Sequence, residues 1–176
     1  SVFHENEIDG EPWSDYAAGY MWGITGMVYN PEEVTEEEAA TWSIRENEKF
    51  YRQVTIKDNV RDAYFPTLAI LNKDLLNSET FRNSSDYHEQ LSAIMNDTRK
   101  ETIDESEQKL KEIRQNVYSF ETDSGKADMI TGKVVANLQW SGDGVYTMDQ
   151  EEDDGFYLDW AVPEEGTSLW FDAWGG

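Results

Sequence analysis

The sequence predicts an α/β domain built on a mostly parallel sheet flanked by helices. Short apolar runs alternate with stretches whose apolar residues recur every three or four positions, the pattern of strands alternating with helices. The segment Val134–Met148, VVANLQWSGDGVYTM, shows the unit best. Its apolar run to Leu138 reads as a buried strand, and a helix follows from Val145 after a tight turn at Ser141-Gly142-Asp143-Gly144. The chain of 176 residues is long enough for one compact domain with a real core, and an aromatic content of 13% argues against disorder.

Taken in order, residues 1–16 read as irregular, with Gly10, Pro12 and scattered acids. Tyr20–Tyr29, YMWGITGMVY, reads as a strand, closed by Asn30-Pro31. Thr35-Glu36-Glu37-Glu38 is a capping box that starts a short helix. Gln53–Lys57 alternates as a strand, and Asp58-Asn59 caps a helix expected from Val60 to about Leu76, kinked by Pro66 near Asp62. Asn77–Asp86 is polar and turn-rich. Helices are expected over Asp86–Met95, Asp104–Asn116 and Ser124–Ile130. Further strands are expected at Tyr118–Glu121, Phe156–Val162 and Ser168–Asp172.

The formal net charge of −23 is unevenly spread. All 14 Lys and Arg residues lie between Arg45 and Lys133, whereas residues 1–44 and 134–176 each hold ten acidic residues and no Lys or Arg. Such a chain is a poor ligand for nucleic-acid phosphates and a good one for cations. Much of this charge also reads simply as a solvated acidic surface. There are no cysteines, and no apolar run approaches the 18 or so residues of a membrane helix.

Two places combine tryptophan with carboxylate: Trp140 with Asp143, where a strand hands over to a helix, and Trp170-Phe171-Asp172. Ligands of open α/β sheets bind beyond the carboxyl ends of strands. Indole faces with carboxylates suit an organic cation. Trp170 and Asp172, two residues apart, share a face if the segment is extended. No Lys or Arg from Val134 onward competes with such a ligand. Each residue also has a structural reading: Trp140, Trp170 and Trp22 as core or rim packing, Asp143 as a helix cap, Asp62 as an acid at a helix N-terminus. Asp149–Gly155 departs from the EF-hand pattern, because Asp154 stands where glycine is required, and reads as a solvated loop. His4 and His88 lack partners at zinc-ligand spacing. No cofactor or metal is expected.

Four ordered motifs resemble the spermidine/putrescine-binding proteins of bacterial ABC transporters: Tyr20-Met-Trp-Gly-Ile-Thr-Gly26 followed by Tyr29-Asn30; Asp58-Asn-Val-Arg-Asp62; Trp140-Ser-Gly-Asp143; and Val162-Pro-Glu-Glu-Gly166 with Leu169-Trp-Phe-Asp172. The resemblance implies one lobe of a type II periplasmic-binding-protein fold, a two-lobed receptor that closes on its ligand. Residues 1–176 correspond to its second, middle lobe, with the first lobe absent. By the same resemblance Asp62 holds an amine, Trp140 and Trp170 line the methylene chain, and Asp172 takes an ammonium end. Asn59 stands where some members carry an aspartate, and Asp58 beside it offers a substitute carboxylate. Asn77–Thr102 looks like an insertion. The implied partners are a polyamine, a permease and the first lobe, with a dimer through the exposed inter-lobe face as a further expectation. The implied location is extracytoplasmic, and no catalysis is implied. The competing readings are the same fold with another cationic or small polar solute, a carbohydrate-active enzyme, and a structural acidic module.

Overall fold

The computed structural model describes residues 6–153 and 157–175. Its first element is a hairpin, β1 (Glu7–Ile8) with β2 (Glu11–Pro12), where irregular chain was expected. Asp9 and Gly10 both have positive φ, 53° and 86°, which makes the two-residue primed turn that an Asp-Gly pair favours. The Asp-Gly signal was legible.

β3 (Ala17–Tyr29) is the 13-residue axis of the domain. Its C-terminal half pairs antiparallel with β6 (Ala136–Trp140) and with β7 (Asp159–Ala161); its N-terminal half pairs antiparallel with β8 (Leu169–Gly175). β4 (Val54–Lys57) lies parallel between β5 (Ser119–Glu121) and β6. The strand order is β5-β4-β6-β3-β7, with β8 joined to β3. The sheet is therefore mixed, which corrects the expectation of a mostly parallel one. Alternation within a segment reveals a strand but not the direction of its partner, and β3 takes antiparallel partners that follow it by more than 100 residues.

Helices cover both faces. On one face α1 (Glu36–Ala39), α2 (Val60–Leu71), α5 (Tyr87–Met95) and α6 (Lys100–Asn116) belong to the layer around Met27, Trp42, Leu68, Leu138 and Ile113. On the other, α7 (Ser124–Ile130) and α8 (Ser141–Asp153) pack around Val28, Met129, Val134 and Trp160. Thr35 and Glu38 close the capping box on α1 as expected. The helix after Asn59 ends at Leu71, where Asn72 leaves helical geometry (φ −110°, ψ 16°) with its side chain donating to the Leu68 carbonyl, and restarts as α3 (Lys73–Leu76). Pro66 sits inside α2 without ending it. A short helix, α4 (Glu79–Arg82), interrupts the polar stretch after Asn77.

α8 begins at Ser141 with no intervening turn, so the strand-to-helix passage is sharper than the glycines suggested. Asp149–Asp153 belong to this helix, where a loop was expected; Asp154 and Gly155 lie outside the described residues. Two glycines near a helix start read as turn-formers, but the helix tolerates them because neighbouring layers hold it.

Candidate ligand-binding site

β4, β5 and β6 run parallel, so their carboxyl ends share one edge of the sheet. Lys57, Glu121 and Trp140 are their last residues, and α2 and α8 begin just beyond. β3 crosses this edge in the opposite sense. Thr25 pairs with Trp140, so residues 17–24 continue past it as a two-stranded ribbon with β8.

Cross-strand partners project to the same face of a sheet, and so do residues two apart. Trp140 opposes Thr25, Trp170 opposes Gly23 and Asp172 opposes Met21. All three candidates therefore stand on one face, the face that carries α2. Backbone directions put Trp140 and Trp170 on opposite edges of β3. The Ile24 N–H turns to Ser141 Oγ at 3.2 Å, whereas the next carbonyl, of Thr25, accepts from Thr167 Oγ1. Between the indoles lies Gly23. A Cβ there would stand 2.5 Å from Trp170 Cζ2 and 2.6 Å from Ser141 Oγ, so the missing side chain is what lets the Trp170 ring lie across β3. The buried Trp170 Nε1–H has no hydrogen-bond acceptor among the described residues.

Asp62 lies in the first turn of α2 and is only 7% exposed. Its Oδ2 accepts from Trp140 Nε1 at 3.1 Å. Burial raises its carboxyl pKa; the Trp140 hydrogen bond and the charges of Arg61 and Lys57 act in the opposite direction and offset part of that rise. Asn59 is exposed and serves as N-cap, its Oδ1 accepting from the Arg61 and Asp62 N–H groups at 2.9 and 3.3 Å. Asp58 is exposed at the tip of the same connection. Asp172 is exposed on β8. Asp62 and Trp140 are thus in direct contact and Trp170 lies across β3 from Trp140; Asp58 and Asn59 are exposed where β4 passes into α2, and Asp172 is exposed two residues beyond Trp170 on the ribbon. Asp143 pairs with Lys126 at 2.7 Å.

A basic residue, outside every sequence motif above that combines tryptophan with carboxylate, also stands at this edge. Lys57, 1% exposed, sets its Nζ 5.0 Å from the centroid of the Trp140 ring. It donates to Glu121 Oε1 at 3.2 Å and to the Thr122 carbonyl at 2.6 Å. Glu121 in turn accepts from the Gly125 N–H at 2.9 Å and from Asn137 Nδ2 at 3.1 Å. The expectation of a site free of basic residues holds only for sequence after Val134; the sheet brings Lys57 in from 83 residues before Trp140. The sequence carried no signal for it: Gln53–Lys57 alternates as a half-buried strand does, and only the structure shows Val54–Lys57 buried throughout.

Trp22, read as structural, is 73% exposed; Tyr20 and Trp174, in edge contact at 5.8 Å, are 62% and 71% exposed. The ribbon thus carries an apolar aromatic surface beyond the domain. Among the described residues no His, Cys, Asp and Glu group could hold a metal ion, and no helix is long and apolar enough to cross a membrane.

This architecture is one lobe of a periplasmic-binding-protein fold. The chain superposes on a putative spermidine/putrescine ABC transporter protein from Listeria monocytogenes with a TM-score of 0.74 at 22% identity, covering 99% of this chain and 46% of that one. The spermidine/putrescine ABC transporter substrate-binding protein from Streptococcus pneumoniae gives 0.70 at 22% identity, covering 93% and 43%. In sequence the chain is similar to the spermidine/putrescine-binding periplasmic protein of Escherichia coli strain K12, 21% identical over 163 residues, 93% of this chain. It spans about two fifths of the length of such relatives. These relatives are named as binding proteins of transport systems, not as enzymes. No family model matches the chain.

Proposed function

We propose that this chain is a polyamine-binding lobe of the extracytoplasmic solute receptor of an ABC importer. The observation that carries the reading is the buried Asp62 carboxylate bonded to the Trp140 indole at the carboxyl edge of the sheet, with Trp170 on the same face. A polyamine needs anionic anchors separated by apolar cover. Carboxylates supply the first through charge-assisted hydrogen bonds, and indole faces supply the second. In this reading Asp62 receives one amine, Asp172 on the rim receives another, Trp140 and Trp170 cover the methylenes between, and Asp58 and Asn59 border the Asp62 end. The exposed aromatic ribbon suits a face covered by a companion lobe on closure or by a second copy of the chain. The receptor then presents its ligand to a permease. The periplasmic location of the named relatives supports a place outside the cytoplasmic membrane.

Calorimetric titration of putrescine and spermidine into the receptor carrying both lobes tests this. Saturable binding that Asp62→Asn and Trp140→Ala each weaken tenfold or more supports it. Folded protein that takes up neither amine at millimolar concentration overturns it. The second reading, the same fold with another cationic or small polar solute, predicts binding from a solute panel with the same sensitivity to Asp62 and Trp140.

A further inference from the structure

Trp140 is engaged on two sides before any ligand arrives. Its N–H is given to Asp62, and one face of its ring lies on the Lys57 ammonium. That ammonium is held in place. Glu121 and the Thr122 carbonyl take its hydrogen bonds, and the side chains of Lys57 and Glu121 are 2% and 3% exposed. An ammonium within about 6 Å of an indole centroid makes a cation–π contact. The ring acts as the lid of a buried ion pair whose positive end points at it, and only its opposite face is left for a ligand.

The two faces of one indole are not equivalent partners for two cations. A ligand ammonium on the free face would share the ring's electron density with Lys57. It would also stand roughly 10 Å or less from a like charge where water screens poorly. A methylene segment on that face meets neither penalty. Polyamines differ in this respect. A diamine offers only methylenes between its terminal ammonium groups, whereas a triamine places a third ammonium along the same stretch.

We propose that Lys57 determines specificity: its ammonium, fixed on one face of Trp140, stands in for an inner ammonium of the ligand, so that the pocket takes a diamine in preference to a triamine. This rests on the polyamine reading and adds to it the charge number of the ligand. Lys57 acts through Trp140 and is a positioning residue.

The test compares putrescine and spermidine affinities in the two-lobed receptor, by calorimetry, for the wild type, Lys57→Arg and the double variant Lys57→Met/Glu121→Gln. The double variant removes the ion pair at constant net charge, so a changed ratio reports the local ammonium and not the overall field. The wild type is expected to bind putrescine more tightly, and the double variant to move the spermidine-to-putrescine affinity ratio about fivefold or more toward spermidine, with Lys57→Arg, which keeps the charge, within about twofold of wild type. A wild type that prefers spermidine overturns the proposal whether or not any variant folds. So does a folded, ligand-binding double variant with an unchanged ratio. A wild type that binds neither amine overturns the polyamine reading and the proposal with it; binding with an unmoved ratio overturns the proposal alone.

Discussion

The indole N–H of Trp140 donates to Oδ2 of Asp62 over 3.1 Å, joining the last residue of a strand to the first turn of a helix 78 positions earlier in the chain. The contact fixes both groups proposed to meet the ligand. It also gives each a defined cost of removal.

Asp62→Asn is the first variant to make. Asparagine keeps an oxygen for Trp140 but loses the charge. Ligand affinity is expected to fall tenfold or more, from the roughly 1.5–3 kcal/mol that a hydrogen bond to a charged group contributes. Stability moves the other way. Burial raises the Asp62 pKa above its ordinary 3.8, so the folded state binds a proton that the unfolded state has released. The contribution of Asp62 is complete below 3.8 and is lost as pH rises through the raised folded value. Denaturation of wild type and variant across the weakly acidic range should show wild type losing stability with rising pH relative to Asp62→Asn.

Gly23→Ala tests the floor of the site. A methyl group 2.5 Å from Trp170 Cζ2 forces the ring aside or the strand apart. Overpacking of this kind costs about 1–3 kcal/mol, and here it also displaces a proposed wall of the pocket. Both melting temperature and affinity should drop.

Thr35→Ala supplies the control. Thr35 Oγ1 accepts from the Glu38 N–H at 3.2 Å, and Glu38 Oε2 accepts from the Thr35 N–H at 3.0 Å, on an exposed helix start. Its removal should cost about 1 kcal/mol in urea denaturation and leave binding unchanged.

Asp172→Asn separates rim from core. Asp172 is exposed and its backbone pairs with Met21, so stability should stay within about 0.5 kcal/mol of wild type. Affinity for a cationic ligand should fall, and its salt dependence should flatten with it.

Lys57→Met, made alone, strands Glu121 in the core without its counter-ion. Chemical denaturation should report a loss of about 3–5 kcal/mol, and adding Glu121→Gln should recover much of it.

How far the sequence reached depended on the range of the interactions involved. The capping box at Thr35, the Asn59 cap and the helices after Tyr87 and Ser124 are written in residues within one or two turns of each other, and they stand as read. So is the common face of Trp170 and Asp172, which follows from a spacing of two within a strand. The hairpin at Asp9-Gly10 is equally local, set by the turn pair alone. The direction of the strands was not local: β3 takes β6, β7 and β8 from the far end of the chain, and nothing in its own alternation reveals that they run against it.

The sequence by itself determined the chemistry available at the site: a strand that ends in Trp140, a Trp170–Asp172 pair spaced for one strand face, a helix that opens with a carboxylate, and the absence of basic residues after Lys133. Tertiary structure decided who meets whom. Parallel pairing of β4 and β6 brings Lys57 against one face of the Trp140 ring, and it brings Asp62 to the indole N–H. The physical reason is that hydrogen-bonding and cation–π contacts act over a few ångströms. A chain of this length says which groups exist, while only strand order and register set the distances at which they act.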